Sequence, residues 1–407
     1  MSETDLGLVT AVFSIGGLVS SLYAGVLVDL IGRKKIMVLN GIIYVIGSAI
    51  ETISNDFKAL AAGRFLSGLA AGCSIVATPL FISEISPHGL KGFLGSMNQV
   101  AINIGILITQ VLAIRWGNNV QWRWLLLIGS LLGVVNVIAV LFIGESPKWL
   151  MSKGRKQEAR AVLTKLRGLN NLDIENELNA FNGEDTLLPG TITPKFKTVS
   201  AYQYLTNPTF RNSLIVVTAL MAGQQFCGVN SVIFYGVATI RKLVPDYAVI
   251  INCFISLGNA IITFAAAPLI DKHGRKPCLL VSVSLMGLMS ASVSVGILRS
   301  IPILTVLATF GYVASFAVGL GPIPFLMLSE VTQLEARGTA QSYGTSINWI
   351  ATFLVGYLFP ILDSAIGGYV YYIFALICII FAVFLQNFVP ETKGARSYEE
   401  VWGLRVE

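Results

Sequence analysis

An uninterrupted apolar run of about 20 residues is long enough to cross a bilayer as a helix, and few other folds have a use for one. This 407-residue chain contains eleven: Leu6–Val28, Ile36–Ile53, Ala59–Phe81, Phe93–Ile114, Trp124–Ile143, Leu214–Tyr235, Tyr247–Ile270, Cys278–Leu298, Ile301–Leu328, Thr339–Leu362 and Val370–Val389. A buried helix of a soluble core would keep a polar outer stripe, whereas these runs are apolar nearly all round. With 54% hydrophobic and 12% charged residues, the chain reads as an all-α, multi-pass membrane protein.

The first run is too long for a cleaved signal and follows Glu3 and Asp5 where a signal would carry basic residues, so it is expected to stay in the protein. A net charge of +6 does not point to nucleic acid, because of where the basic residues lie. Arg33 to Lys35, Lys91, the stretch from Lys148 to Arg167, Lys272, Arg275, Lys276, Arg337, Lys393 and Arg396 occupy alternate connections. That asymmetry places those loops and the C-terminus in the cytoplasm. The five cysteines lie in or beside apolar runs, without CxxC spacing or a nearby histidine, so no metal or cofactor is expected.

Self-comparison is more informative. Gly-x-x-x-Asp-x-x-Gly-Arg-Lys at Gly25–Lys34 recurs as Asp-x-x-Gly-Arg-Lys at Asp271–Lys276, an offset of 242 (271 − 29). Glu84, Lys91, Gly92 and Glu145 match Glu330, Arg337, Gly338 and Glu391 at 246 (330 − 84). Two homologous bundles follow: residues 1–145 with five spans and 212–390 with six, joined by a polar linker at 146–211 and followed by a tail at 391–407. The span Leu214–Tyr235 has no first-half counterpart, which predicts a parent of twelve helices, a missing first helix, and Met1 on the non-cytoplasmic face. In the linker, Ala159, Val162, Leu163 and Leu166 are spaced for one amphipathic helix, and Ile174, Leu178 and Phe181 for a second. Gly183–Ser200 reads as loop.

The motifs now in hand resemble the sugar-porter branch of the major facilitator superfamily over essentially the whole chain. Besides the repeated Asp-x-x-Gly-Arg-Lys, they are Gly63-Arg64-Phe65 with Gly68 and Gly72, Pro79 through Glu84, Glu145-Ser146-Pro147-Lys148-Trp149-Leu150, Gln224-Gln225 with Gly228 and Asn230, Gly321-Pro322-Ile323-Pro324, Asn348-Trp349, and Pro390-Glu391-Thr392-Lys393-Gly394. The resemblance implies a major facilitator fold that moves a sugar or polyol, hexose-like in size, by alternating access. Protons are the candidate coupling ion, although the acid that couples them in the symporters lies on the missing helix.

Two constellations carry this expectation. Gly32 and Gly274 end helices, and Arg33 and Arg275 suit the negative end of a helix dipole. Asp29, Glu84, Glu145, Asp271, Glu330 and Glu391 are placed to pair with Arg33, Lys91, Arg275 and Arg337, forming an ion-pair latch between the halves. Anchoring by positive charge alone would leave these acids unexplained.

The second constellation is amides within spans: Gln110, Gln224, Gln225, Asn230, Asn259 and Asn348. On a regular helix Gln224, Gln225 and Asn230 would point about 0°, 100° and 240° apart, so a break near Gly228 is expected. An amide offers a donor and an acceptor to vicinal hydroxyls without charge. Interhelical hydrogen bonding alone is the competing reading.

By resemblance, Phe325 also contacts substrate, and Gly228, Phe234, Tyr235, Pro322 and Pro324 act in gating. Phe325 stands where the family has Trp, Phe234 replaces the first of two tyrosines, and Ala317 replaces an acid, which points away from tight glucose binding. No acid, base or nucleophile set accompanies the amides, and His88 and His273 fall in loops, so catalysis is not expected. A non-transporting sensor of the same fold and an inactive truncated carrier are the alternatives.

Overall fold

A computed structural model describes residues 3–118, 120–168, 174–178, 199–395 and 398–403. Met1, Phe181 and most of the expected loop at 183–200 lie outside the described residues.

The first bundle comprises α1 (Glu3–Ile31), α2 (Arg33–Ile53), α3 (Phe57–Ile85), α4 (Lys91–Trp116) and α5 (Trp122–Leu141). Then come α6 (Pro147–Ser152), α7 (Lys156–Arg167), α8 at 174–178 and α9 (Ala201–Thr206). The second bundle holds α10 (Arg211–Phe226), α11 (Val229–Arg241), α12 (Ala248–His273), α13 (Arg275–Leu298), α14 (Pro302–Val318), α15 (Ile323–Glu330), α16 (Arg337–Ile366) and α17 (Val370–Phe388), and α18 (Tyr398–Trp402) follows it.

Ten stretches among the described residues are long and apolar enough to span a membrane. One, Arg337–Phe388, is 52 residues long and contains both α16 and α17, which brings the crossings to eleven. Large apolar side chains such as Leu131, Val135 and Ile138 on α5 are exposed, the surface a lipid-facing helix presents.

Local chemistry sets the helix ends. The side chain of Asp56 accepts from Ala59 N and caps α3, and Ser146 caps α6 ahead of Pro147. Gly32 at φ 107° and Gly274 at φ 99° turn α1 into α2 and α12 into α13. A Cβ at either would press on its repeat-related acid, Glu145 or Glu391, at 2.5 Å.

The halves meet along two seams, α1 against α16 and α4 against α12. Beneath the bundle, Ala159, Leu163, Ile174 and Leu178 pack with Trp149 and Leu150 into a separate small core. Leu166, expected on that stripe, is instead 46% exposed, because the core is complete with the i, i+4 pair Ala159 and Leu163.

Two spans are broken, one where the sequence led us to expect it and one not. The run Leu214–Tyr235 divides at Gly228, φ 97°, into α10 and α11, as the amide directions required. The run Ile301–Leu328 divides between Val318 and Ile323, where Gly319, Gly321 and Pro322 interrupt the ladder, into α14 and α15.

Candidate functional site

Breaking a helix inside a membrane frees carbonyls that must find donors. Here the two breaks face each other and supply one another. Gln224 Nε2 on α10 donates to Leu320 O (2.8 Å) and Gly321 O (3.0 Å), while Tyr312 Oη on α14 donates to Cys227 O (2.6 Å).

From that base an amide network extends to α16. Asn348 Nδ2 donates to Gln224 Oε1 (2.8 Å) and Met221 O (3.2 Å), and Gln225 Nε2 donates to Asn348 Oδ1 (3.1 Å). Across the break, Asn230 Nδ2 donates to Gln225 Oε1 (2.6 Å) and lies 3.3 Å from Thr352 Oγ1. All four amides are buried. The turn at Gly228 swings Asn230 onto Gln225, a contact that a straight helix would forbid.

Asn259, grouped with these amides in the sequence, belongs to a second network. Thr263 Oγ1 lies 3.4 Å from Asn259 Oδ1 and accepts from Asn103 Nδ2 (2.8 Å), whose Oδ1 accepts from Gln99 Nε2 (3.1 Å). It bridges α4 and α12, hence the two halves.

Gln110 on α4 keeps a buried Oε1 with no hydrogen-bond partner among the described residues. The same holds for Gln341 Nε2, Thr345 Oγ1 and Trp349 Nε1, one face of α16 at i, i+4, i+8 spacing. Native interiors leave few such groups unsatisfied, and here three stand in a row beside Asn348. Sequence reasoning missed Gln341, Thr345, Gln99 and Asn103; the i, i+4, i+8 polar row was the available signal. Trp349 also packs edge-on to Phe13 of α1, centroids 5.8 Å apart.

Phe325 and Gln341, with Pro79, Gly95 and Leu326, line a cavity of about 10 Å³ between the halves. That admits about one water and no sugar. Of the residues grouped under gating, Pro322 and Pro324 open α15, Phe234 is half exposed, and Tyr235 Oη donates to Gly356 O (2.9 Å) while stacking on Phe359 at 5.3 Å.

The charged residues form two clusters with one design. Arg33 reaches Glu84 (Nη2 to Oε1 2.6 Å, Nε to Oε2 2.8 Å) and Asp29 (2.9 Å), while Glu145 accepts from Arg33 N (3.0 Å) and Lys34 N (3.1 Å). Arg275 reaches Glu330 (3.0 Å) and Asp271 (3.2 Å), and Glu391 accepts from Arg275 N (2.9 Å) and Lys276 N (3.0 Å).

These pairs each stay within one half. Two carboxylates also reach helix starts of the other half: Asp271 accepts from Gly92 N (3.0 Å) and Phe93 N (2.8 Å) at the start of α4, and Asp29 lies over Gly338 at the start of α16. Both acids meet the positive end of a helix dipole. Lys91 and Arg337 stand at the same two helix starts.

Known proteins resolve what this architecture is. The profile of the family described as "Sugar (and other) transporter" matches residues 1–402. The chain belongs to that family. Its members are carriers and not catalysts.

A probable metabolite transport protein of Saccharomyces cerevisiae is 44% identical over 99% of this chain and 83% of its own length. The facilitated glucose transporter member 3 of Gallus gallus is 30% identical, covering 96% and 79%. Among solved structures, a proton:xylose symporter bound to 6-bromo-6-deoxy-D-glucose superposes with a TM-score of 0.84 over 99% of this chain and 90% of that one, at 23% identity. The inward-open conformation of the xylose transporter from E. coli gives 0.75 over 99% and 91%, again at 23% identity. At that identity the likeness carries the major facilitator fold.

Proposed function

We propose that this protein moves a sugar or related polyol, hexose-like in size, across a membrane by alternating access. One observation carries the reading: two broken helices cross at a buried network of Gln224, Gln225, Asn230 and Asn348, next to a row of buried polar atoms that lack partners. Uncharged donors and acceptors around apolar rings suit a solute with many hydroxyls and apolar ring faces. Gln110, Asn259 and Phe325 complete the substrate contacts in this reading. Phe325 stacks on a sugar face, and Trp349 Nε1 provides an indole donor that Phe325 lacks.

Gly228, Phe234, Tyr235, Pro322 and Pro324 form the moving parts, with α11 and α15 pivoting on their breaks. Asp29, Arg33, Glu84, Lys91, Glu145 and their counterparts Asp271, Arg275, Glu330, Arg337 and Glu391 latch the charged face shut. That face and the C-terminus lie in the cytoplasm, on the charge asymmetry of the loops. A cavity too small for sugar between α3, α4, α15 and α16 supports closure of that side.

The experiment is label exchange in proteoliposomes across hexoses, pentoses and inositol. At least one should exchange saturably, with competition by its unlabelled form; if none does, the reading fails.

A further inference from the structure

Glu51 is a carboxylate that neither charged cluster uses. It sits near the end of α2, on the membrane face opposite Arg33, and is 2% exposed. Small residues put it there by letting α2 and α3 touch. A Cβ at Gly47 would lie 2.8 Å from Ser67 N, and one at Gly63 would lie 2.5 Å from Glu51 Cγ.

Its partners are sparse. Ser67 Oγ donates to Glu51 Oε1 at 2.7 Å, while Oε2 lies 3.7 Å from Arg64 Nε, beyond hydrogen-bond reach. Among the described residues Arg64 Nε has no hydrogen-bond partner, although the side chain as a whole is 38% exposed.

The other ionisable groups nearby do not complete the set. Tyr44 of α2 turns its hydroxyl toward Gly129 of α5, and Arg123 of α5 donates to Ser54 O (2.6 Å) and Asn55 Oδ1 (3.2 Å). Asp56 and Lys58 at the start of α3 are exposed, and Phe13, which packs on α3 from α1, is uncharged.

An ionised carboxylate shielded from water ordinarily holds several donors or a bonded cation. Among the described residues Glu51 has one hydroxyl and a cation that attracts without bonding. A proton on Oε2 would leave the Ser67 bond intact and end the attraction to Arg64, whose side chain is partly exposed. Both charge states therefore fit one pocket, and intramembrane acids so placed mark proton paths.

We infer that Glu51 is the proton-binding site of this carrier, a reading that rests on sugar transport as proposed above. Oε2 takes one proton from the face opposite the charged clusters, the attraction to Arg64 lapses, and the proton leaves on the other side once the halves have rocked. No covalent bond other than O–H changes.

The test uses the whole protein in proteoliposomes with the membrane potential clamped at zero. Label exchange of the transported sugar is measured first, then accumulation under a gradient of one pH unit, acid outside. One proton per sugar sets an accumulation of about tenfold. Wild type should reach it; Glu51→Gln should still exchange label but accumulate none, and Glu51→Asp should restore accumulation.

Gln preserves the acceptor for Ser67, so a purely structural Glu51 predicts that Glu51→Gln accumulates like wild type, which would overturn the proposal. Wild-type exchange without accumulation would overturn it while sparing the sugar reading. Loss of exchange and accumulation together in Glu51→Gln would also overturn it, and wild type that exchanges no sugar or polyol would sink both.

Discussion

Asp271 in the second half accepts a hydrogen bond from the backbone amide of Gly92 in the first, at 3.0 Å, so a side chain of one bundle caps a helix of the other. A Cβ at Gly92 would clash with the Asp271 carboxylate. Gly92→Ala should therefore part the seam on the charged face. The check is labelling of a cysteine placed at Ser329, which lines the small cavity there. Faster labelling than in the parent is expected, and an unchanged rate would contradict closure by this contact.

Arg275 extends the argument to the charged cluster, because its side chain is 6% exposed and faces Glu330 and Asp271, with Glu391 on its backbone amide. Reversing its charge leaves three acids without their cation, and breaking a buried pair costs about 3–5 kcal/mol. Arg275→Glu should insert into membranes but melt several degrees lower and transport poorly. Lys242→Glu, at an ion pair whose lysine is 51% exposed, should change transport little. Equal effects of the two would remove the latch from the mechanism.

Glycine geometry permits a graded prediction. Gly168 caps α7 at φ 61° and ψ 18° with open space around its Cβ position, so Gly168→Ala should cost about 1 kcal/mol, the left-handed penalty alone. Gly228 stands at φ 97° with the Phe374 ring 2.6 Å from where a Cβ would go. Gly228→Ala should lower the melting temperature clearly more than Gly168→Ala. A smaller drop would mean that the α10–α11 break tolerates side chains and is not a fixed pivot.

Much of this was legible in the sequence because membrane crossing leaves a length signal and duplication leaves an offset. The repeat foretold that Glu145 and Glu391 would be equivalent, though not that they would hold backbone amides, and the angles of Gln224, Gln225 and Asn230 foretold the break at Gly228. Two things were not legible. Charges near one another in a repeat do not say whether pairs form within or between halves, and here Arg33 and Arg275 stay at home while Asp271 crosses. Nor does an amide in a span say which network it joins: the Asn259 amide lies beside Thr263, which Asn103 reaches from the other half, because α12 packs on α4.

The amides divide by role. Gln224 donates to two carbonyls released by the α14–α15 break, so Gln224→Leu leaves both unsatisfied inside the membrane domain, at about 1–3 kcal/mol each. Lower abundance and melting temperature are expected before any question of binding arises. Asn230 hangs from Gln225 and Thr352 beyond the break and satisfies no backbone group in these bonds. Asn230→Leu should keep abundance near wild type while a sugar hydroxyl loses its partner, a penalty of about 1–3 kcal/mol. At 1.4 kcal/mol per decade this is roughly 5- to 150-fold in affinity. Gln225→Leu should behave likewise, since its bonds go to side chains. The measurement is ligand binding normalised to folded carrier for the solute that exchanges. If Asn230→Leu and Gln225→Leu lose abundance and the surviving protein binds normally, the network is interhelical scaffolding, and the sugar site must be sought along Gln341, Thr345 and Trp349 instead.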